Sequence, residues 1–365
     1  MATEPAPISF ARGAPSLDII DVEGLRAAAD RAFTRDPAGT FAYGTSVGYR
    51  PLRSWIAERH GVAEDQVLVT NGSMQADAFL FETLVEPGDV VVVERPSYDR
   101  TLFSLRSRGA DLRPVELQHD GVDVAEIEAL LAAGVQPKLA HLIPNFQNPA
   151  GYSLSGEKRH ALVALAGGHG FTIFEDDPYI ELRFSGERRP TMFSLAEGDE
   201  VVYASSFSKT VCPGIRVGYL VGSAPLIKRI ADLATGTYIS PNMVAQSIVN
   251  EFVRGGSLET SIETVKTALS ERAAGLSAAL RRDLPEAEFV EPEGGYFLWV
   301  TLPEGTDGDA LFIAAAERGV AVVKGADFLL DGGKNTVRLA YSGVRVDQID
   351  EGVSRLAEAY HSLSV

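Results

Sequence analysis

Short apolar runs alternate with amphipathic stretches along the chain from about residue 66 to residue 222. The runs are rich in β-branched residues, which favours strands, and they lie at 67–70, 90–94, 112–117, 139–144, 172–175, 201–204 and 217–221. The stretches between them repeat apolar residues every three or four positions, which favours helices, and include 75–84, 124–132 and 156–166. This alternation predicts βαβ units and an α/β fold with a mostly parallel sheet covered on both faces.

After Pro241 the pattern of apolar positions changes. Residues 258–282 predict one long helix, because the apolar spacing is helical and Gly275 is the single glycine or proline in the segment. Strands at 296–301, 320–323 and 336–341 and helices at 309–318 and 346–361 follow. We therefore predict a large domain over residues 26–256 and a smaller α+β domain over residues 257–365. The N-terminal arm, residues 1–25, has no core of its own and is expected to join the smaller domain.

The composition narrows the range of partners for this chain. With 45% hydrophobic and 23% charged residues it is an ordinary globular sequence, and its formal charge of −17 disfavours nucleic acid or an anionic membrane as a partner. No stretch approaches the ~20 apolar residues of a membrane-spanning helix. The negative charge is explained by solubility. Because it repels anions, an anionic substrate would need arginine or lysine side chains at its binding site.

Cysteine usage and the N-terminal residues bear on the cellular compartment. Cys212 is the single cysteine, which excludes an intrachain disulfide and fits a reducing compartment. Residues 1–9 lack a basic segment followed by an apolar run, so no secretory signal is predicted. We expect a cytoplasmic protein, in which Cys212 packs as a small side chain.

Candidate chemistry lies directly after the predicted strands, since ligands of such sheets bind outside the carboxyl ends of the strands. Lys209 follows the strand at 201–204 in the segment Ser-Ser-Phe-Ser-Lys-Thr. Alone, it is equally well a solvated loop lysine or a buried amine. Arg216 lies seven residues later, beyond a Pro-Gly turn, and two neighbouring cations repel unless an anion such as phosphate lies between them. A neighbouring cation would also lower the pKa of the amine and make it a better nucleophile.

Two acidic residues, Asp176 and Asp177, follow the strand at 172–175. A carboxylate at the end of a buried strand costs several kcal/mol unless it is paired. One suitable partner is a protonated pyridine nitrogen. The alternative is a helix N-cap, with Pro178 as the first helical residue. Asp177 suits the cap and Asp176 the pyridine.

Other strand ends carry polar or aromatic residues with a compatible chemistry. Asn148, in a turn of sequence Asn-Pro-Ala-Gly, offers an amide that can donate to a phenolate oxygen. The Gly-Ser step at Ser73 enters a helix N-terminus, which offers backbone N–H groups to a phosphate. Tyr98 can stack on a planar ligand. His141 lies inside a predicted strand, where we expect a structural role, and the histidines show no metal-ligand spacing.

Taken together, these residues give the chain a resemblance to the class I/II aminotransferases, which are enzymes of fold type I that depend on pyridoxal 5′-phosphate (PLP). The resemblance covers nearly the whole chain, and its motifs are Asn-Pro-Ala-Gly at 148–151, Asp-Asp-Pro-Tyr at 176–179, Ser-Phe-Ser-Lys at 206–209 and Pro-Gly-Ile-Arg-Val-Gly-Tyr at 213–219. The segments at 146–149 and 175–179 look most like the branch of the 2-aminoadipate aminotransferases. That branch also contains regulators in which a DNA-binding domain is fused to an aminotransferase fold.

The resemblance implies a role in cofactor binding for each matching residue. Lys209 would hold PLP as a Schiff base and then move the proton at the substrate Cα, and Asp176 would pair with the pyridine nitrogen. Tyr179 and Asn148 would hydrogen-bond the 3′-oxygen of the cofactor. The remaining cofactor contacts would come from Tyr98, which stacks on the ring, and from the phosphate ligands Ser73, the Met74 amide, Ser206, Ser208 and Arg216. Met74 replaces a glutamine that is frequent in this branch, but the contact there is mainly through the backbone.

The resemblance also implies a substrate site and an oligomer. Arg338 would grip the substrate α-carboxylate by a bidentate pair, helped by Asn148, with Gly13 of the arm close by. Tyr43 would reach the phosphate of a neighbouring subunit, which implies a homodimer with shared active sites.

The function implied is transfer of an amino group from an L-amino acid to a 2-oxo acid, expected to be 2-oxoglutarate. Another PLP reaction on the same scaffold, such as that of a β-lyase, a decarboxylase or a cyclising synthase, uses the same cofactor residues and stays open. A non-catalytic sensor is disfavoured by the acidic charge. The sequence does not identify the amino acid, because the side-chain pocket is built from loops, and each contact there is worth only ~1–3 kcal/mol.

Overall fold

A computed structural model describes residues 7–363 of the chain. Within them the strands are β1 (Ile8–Ser9), β2 (Val67–Thr70), β3 (Val90–Arg95), β4 (Asp111–Gln118), β5 (Gly121–Val122), β6 (Pro137–Leu142), β7 (Thr172–Asp176), β8 (Val201–Ser206), β9 (Gly218–Val221), β10 (Phe297–Thr301), β11 (Val320–Ala321), β12 (Val323–Lys324) and β13 (Thr336–Ala340). The α-helices are α1 (Val22–Arg35), α2 (Pro37–Phe41), α3 (Arg50–His60), α4 (Ser73–Leu84), α5 (Asp99–Ser107), α6 (Val124–Ala132), α7 (Gly156–His169), α8 (Met192–Leu195), α9 (Ala224–Tyr238), α10 (Met243–Arg254), α11 (Ser257–Asp283), α12 (Gly308–Glu317) and α13 (Val346–His361).

The largest sheet has the strand order β2-β9-β8-β7-β6-β3-β4-β5. The pairs from β8 through β7, β6 and β3 to β4 are parallel, while β2, β9 and β5 pair antiparallel at the two ends. Alternate residues of its strands face opposite layers. Val91 and Val93 of β3 pack with α4 and α5, and Val92 packs with α6 and α7. Both faces are therefore covered, which explains why these strands are continuous apolar runs.

A second group of strands forms in the C-terminal part of the chain. β10, β13 and β12 make an antiparallel sheet, and α11 and α13 pack against each other beside it. The arm reaches this region, because β1 pairs in parallel with β11 and places Ile8 opposite Val320. The predicted single strand at 320–323 is therefore wrong in extent, since β11 pairs with the arm while β12 pairs with β13.

Two of the predictions concern residues that lie partly outside the described range of 7–363. The division into residues 1–25, 26–256 and 257–365 stays a prediction, and residues 1–6 and 364–365 lie outside the described residues. Most of the segment considered for a secretory signal lies there as well. Among residues 7–363, no helix combines the length and the apolar character needed to cross a membrane.

Candidate active site

The carboxyl ends of the central strands, the start of α4, the arm and β13 surround a cavity of about 600 Å³. It collects residues that are distant in sequence, since parallel neighbouring strands end at one edge of the sheet. All but one of the predicted site residues line it: Gly13, Ser73, Met74, Tyr98, Asn148, Asp176, Tyr179, Ser206, Ser208, Lys209, Arg216 and Arg338. The exception is Tyr43, whose side chain is 88% exposed and does not line this cavity.

Lys209 lies in the loop after β8, with its amine inside the cavity. Its Nζ donates to the carbonyl oxygen of Gly13 at 2.9 Å, and lies over the rings of Tyr179 and Tyr296 at 5.6 and 5.1 Å from their centroids. Burial, and then the charge of Arg338, lowers the pKa of this amine to about 8. Arg216 also lowers the pKa of Lys209 but contributes least. The sequence analysis named Arg216 as the cation that acts on Lys209, whereas Arg338 has the larger effect.

An anion cradle lies where α4 begins. Arg216 donates through Nη1 to the Ser208 hydroxyl at 3.3 Å, and the Ser206 hydroxyl donates to Ser208 Oγ at 2.9 Å. A Cβ at Gly72 would lie 2.0 Å from Arg216 Nη2, so glycine is needed for the arginine to reach the helix N-terminus at Ser73. Within residues 7–363 no carboxylate pairs with Arg216. A cation, two hydroxyls and free helix N–H groups thus converge on one place, which suits a phosphate.

Asp176, the last residue of β7, has a buried carboxylate oxygen without a hydrogen-bond donor within residues 7–363. It is 5% exposed, and no described residue donates a hydrogen bond to its Oδ1. Its Oδ2 lies 3.6 Å from His141 Nε2. A protonated ring nitrogen would provide the missing donor.

Asp177 has a different role from the one that its position suggested. It is fully buried and accepts a hydrogen bond from the Asn145 side chain at 2.8 Å, and burial raises its pKa well above the usual range. No helix starts at Pro178, because the next element is a short 3₁₀ helix, Ile180–Leu182, with Tyr179 at its N-cap. The N-cap interpretation of Asp177 is therefore wrong.

Arg338, on β13, forms the second cationic group of the cavity. Its Nη1 donates to Asn148 Oδ1 at 2.9 Å and its Nη2 to the Ala11 carbonyl at 2.7 Å. The guanidinium lies between the rings of Phe297 and Phe328, 4.5 and 4.7 Å from their centroids. No carboxylate among residues 7–363 pairs with it, and burial lowers its pKa. A buried, oriented guanidinium of this kind is suited to a carboxylate ligand.

Tyrosines and the arm complete the walls. Burial raises the pKa of Tyr179 well above its usual range, so its hydroxyl stays protonated and can donate. Tyr98 is half-buried at the start of α5. A Cβ at Gly13 would lie 2.5 Å from the Phe297 ring, so only glycine lets the arm pass this close. Asn148 uses its Oδ1 for Arg338, so its Nδ2 is the atom that can donate to a ligand.

Sequence reasoning missed several residues of this site. Tyr296 donates from its hydroxyl to the Lys209 carbonyl at 3.1 Å and steadies the lysine loop. Asp77, Phe297 and Phe328 line the cavity as well. The available signal for Asp77 was a carboxylate among the apolar residues of α4. The aromatic residues gave no signal, because their ring contacts with Arg338 depend on the C-terminal sheet.

The residues present fit PLP on grounds of structure alone. The cradle around Arg216 suits the phosphate of PLP. The Oδ1 of Asp176, which has no donor among the described residues, suits a protonated ring nitrogen, and the Lys209 amine suits the aldehyde carbon. Tyr179 and Asn148 offer donors to a ring oxygen between them.

Comparison with known proteins agrees with this fit. The family model "Aminotransferase class I and II" matches residues 7–356. A 2-aminoadipate transaminase of Thermus thermophilus is 33% identical, over 100% of this chain and 92% of that protein. Aromatic-amino-acid aminotransferase 1 of Thermococcus litoralis is 32% identical, over 96% of this chain and 87% of that protein.

A solved structure extends the likeness to three dimensions. The alpha-aminoadipate aminotransferase of Thermus thermophilus, complexed with N-(5′-phosphopyridoxyl)-L-leucine, superposes with a TM-score of 0.94 at 33% identity, covering 98% of this chain and 93% of that one. The chain therefore belongs to the class I and II aminotransferases of fold type I and is a PLP-dependent aminotransferase.

Proposed function

We propose that this aminotransferase moves an amino group from an L-amino acid to 2-oxoglutarate, and that Lys209 both holds PLP as a Schiff base and moves the proton at the substrate Cα. The observation that carries the proposal is the Lys209 amine, whose pKa is lowered to about 8. It lies in one cavity with the Arg216 cradle and with Arg338. One arginine suits a cofactor phosphate and the other a substrate carboxylate.

The other residues act on the cofactor in the roles that their atoms permit. When bound, PLP supplies an electron sink for the charge left at the substrate Cα. Asp176 would face the ring nitrogen and keep it protonated, while Tyr179 and Asn148 would donate to the ring oxygen. Tyr98 would cover one face of the ring. Ser73, the Met74 amide, Ser206, Ser208 and Arg216 would hold the phosphate.

Substrate binding would orient the bond that breaks. Arg338, with Asn148 and close to Gly13, would hold the α-carboxylate, which fixes the Cα–H bond toward the Lys209 amine. The neutral Lys209 amine would take the proton from the substrate Cα and would then donate it to the cofactor.

Arg12 supports a dicarboxylic acceptor. Its side chain is exposed at the cavity, and no described residue forms an ion pair with it. The distal carboxylate of 2-oxoglutarate would supply the missing anion. In Arg12→Gln we expect the KM for 2-oxoglutarate to rise and the KM for pyruvate, which lacks the distal carboxylate, to stay as it is. An equal change for both acceptors would argue against this contact.

The experiment that tests the reaction is a half-reaction without acceptor. Single L-amino acids, beginning with 2-aminoadipate, glutamate and the aromatic amino acids, are added to the holoenzyme. We expect conversion to the pyridoxamine form, followed by complete reversal when 2-oxoglutarate is added. Release of ammonia, of CO₂ or of a cyclic product without that conversion would instead indicate a lyase, a decarboxylase or a synthase.

A homodimer with shared active sites is part of the proposal. Phe41 and Tyr43 are 62% and 88% exposed in one segment, which suits burial against a second copy. If Tyr43 serves the partner's phosphate, mixing inactive Tyr43→Ala and Lys209→Ala chains should restore one native site per mixed dimer. Activity that stays at the level of the separate variants would argue against sharing.

We also propose a cytoplasmic location, with no nucleic acid or membrane partner. The single cysteine and the charge of −17 support it. Fractionation of the native cells, with DNA-binding and vesicle-binding assays on the purified enzyme, tests these points.

A further inference from the structure

A second acidic residue, Asp77, shares the cavity with Asp176. It lies on α4, one turn after Ser73, and its side chain is 4% exposed. Neither its Oδ1 nor the Oδ1 of Asp176 receives a hydrogen bond from the residues the structure describes. Two buried carboxyl groups of this kind are costly if both are ionised, because one oxygen of each lacks a donor in that part of the chain and the two charges repel each other.

A buried histidine, His141, approaches Asp176 from the neighbouring strand. In the pairing of β6 with β7, His141 lies opposite Phe174, so its side chain points to the same face as Asp176. Its Nε2 lies 3.6 Å from Asp176 Oδ2, and neither ring nitrogen has a hydrogen-bond partner within residues 7–363. The ring packs edge-on against Phe81 and Phe174, and its Nε2 is turned toward Asp176.

Burial and neighbouring charges indicate which carboxyl groups near Asp176 hold a proton. Burial and the charge of Asp176 raise the pKa of Asp77 well above its usual range. Burial also raises the pKa of Glu94, on β3, to about 8, so this neighbour is mainly neutral at pH 7. Tyr98, with a pKa of about 12, is neutral too. Asp176 is the acidic neighbour that acts on the Lys209 amine, because its charge raises the pKa of that amine.

We propose that Asp77 and His141 are positioning residues that act on the cofactor through Asp176. A small shift of the two side chains closes the 3.6 Å separation into a hydrogen bond that His141 Nε2 donates to Asp176 Oδ2, and Oδ1 stays directed at the ring nitrogen. Asp77 holds a proton, so that Asp176 is the single negative charge at that end of the cavity. The inference deepens the proposed function and rests on it for the part that concerns the ring nitrogen.

The two residues serve one requirement of the chemistry. A protonated ring nitrogen needs one carboxylate that stays ionised and keeps its orientation. A hydrogen bond from His141 would fix that orientation. A second negative charge would instead compete for the same donor and would add an uncompensated buried charge.

The state of Asp77 is tested by infrared spectroscopy on the protein with and without PLP. The difference spectrum of wild type minus Asp77→Asn at pH 7 should show the C=O stretch of a protonated carboxyl group, and the band should vanish at higher pH. Asp99→Asn is the matched control, because Asp99 lines the same cavity, is partly exposed and lies 3.5 Å from Arg100. Its difference spectrum should show a carboxylate. Carboxylate bands for Asp77 at pH 7 would overturn the proposal. Asp77→Ser serves the same comparison if the asparagine variant does not fold.

The role of His141 is tested with His141→Phe and His141→Gln. Phenylalanine matches the aromatic neighbours but cannot donate, while glutamine keeps a donor. We expect the PLP dissociation constant to rise about tenfold or more in His141→Phe, the loss of one hydrogen bond to a charged group. The ¹⁵N resonance of the cofactor ring should move toward the unprotonated form there, and His141→Gln should restore most of both. Unchanged affinity and ¹⁵N shift in a folded His141→Phe protein would refute the role.

The outcomes separate this inference from the function on which it rests. If the chain failed to bind PLP at all, the proposed function would fail, yet the infrared comparison on cofactor-free protein would still decide the state of Asp77. If PLP binds and amino groups transfer normally in both His141 variants, the function stands and the positioning role falls.

Discussion

Replacement of Arg338 is the perturbation whose effect the structure allows us to work out most fully. Arg338 is 8% exposed, and its guanidinium is held by Asn148 and the Ala11 carbonyl and stacked between Phe297 and Phe328. Its orientation is therefore set before substrate arrives, so little binding energy is lost in ordering it. We expect Arg338→Met and Arg338→Lys to weaken amino-acid binding to different degrees.

The magnitude follows from the number of hydrogen bonds to the substrate carboxylate. A hydrogen bond to a charged group contributes about 1.5–3 kcal/mol, so loss of a bidentate pair in Arg338→Met should cost ~3–6 kcal/mol. That corresponds to a substrate dissociation constant roughly 10²- to 10⁴-fold higher. Arg338→Lys keeps the charge but not the planar fork, and should weaken binding by about 10- to 100-fold.

The assay is titration of the holoenzyme with amino acid, followed by cofactor absorbance, together with the dissociation constant of PLP. Arg113→Met is a suitable control, because Arg113 is exposed on β4 and pairs with Asp111. Urea unfolding should accompany it, since Arg338 also ties the arm to β13 through Ala11. Weaker PLP binding with unchanged amino-acid binding would refute the assignment of Arg338 to the substrate carboxylate.

Three further predictions concern Lys209 and Asp176. Lys209→Ala should abolish turnover and the absorbance band of lysine-bound PLP, while circular dichroism shows an intact fold. An active Lys209→Ala enzyme would refute the catalytic role of Lys209. Asp176→Asn should slow Cα–H cleavage by orders of magnitude in single-turnover experiments, because an amide does not hold the ring nitrogen protonated; equal rates would mean that another carboxyl group has this role. The Lys209 amine is protonated below its pKa of about 8 and neutral above it. Capture of PLP by cofactor-free enzyme should therefore rise with pH up to about 8 and then level off, and in Arg338→Met the rise should extend to higher pH; a rise that continues to the ordinary lysine pKa of 10.5 in wild type would contradict the burial of this amine.

Local sequence patterns were sufficient for the central sheet and for several residues that line the cavity, while the family resemblance supplied the others. A buried parallel strand needs a continuous apolar run, and its ligand-binding residues follow at its carboxyl end. Asp176 lies at the end of such a run, and Lys209 and Asn148 lie in the loops that follow two others, so their convergence could be predicted once the strands were recognised. The terminal helix was likewise predicted at the residues where α13 begins and ends.

Pairings between distant segments could not be read in the same way. The segment at 320–324 is divided between two sheets because the arm pairs with one half of it, and nothing local in the sequence marks that division. Asp177 looked like a cap, since Pro178 follows it, yet the sheet buries it against Asn145. In each case a partner far away in the chain decided the conformation.

What the sequence by itself determined about this protein is therefore the set of reactive groups and the strand ends that carry them. The tertiary structure decided their electrostatics. The pKa of Lys209 depends first on burial and then on Arg338, which lies in a different sheet, and the surroundings of Asp176 depend on His141 and Asp77 from a separate strand and helix. Desolvation and Coulomb interactions depend on distances in space, and those distances exist only after the chain has packed.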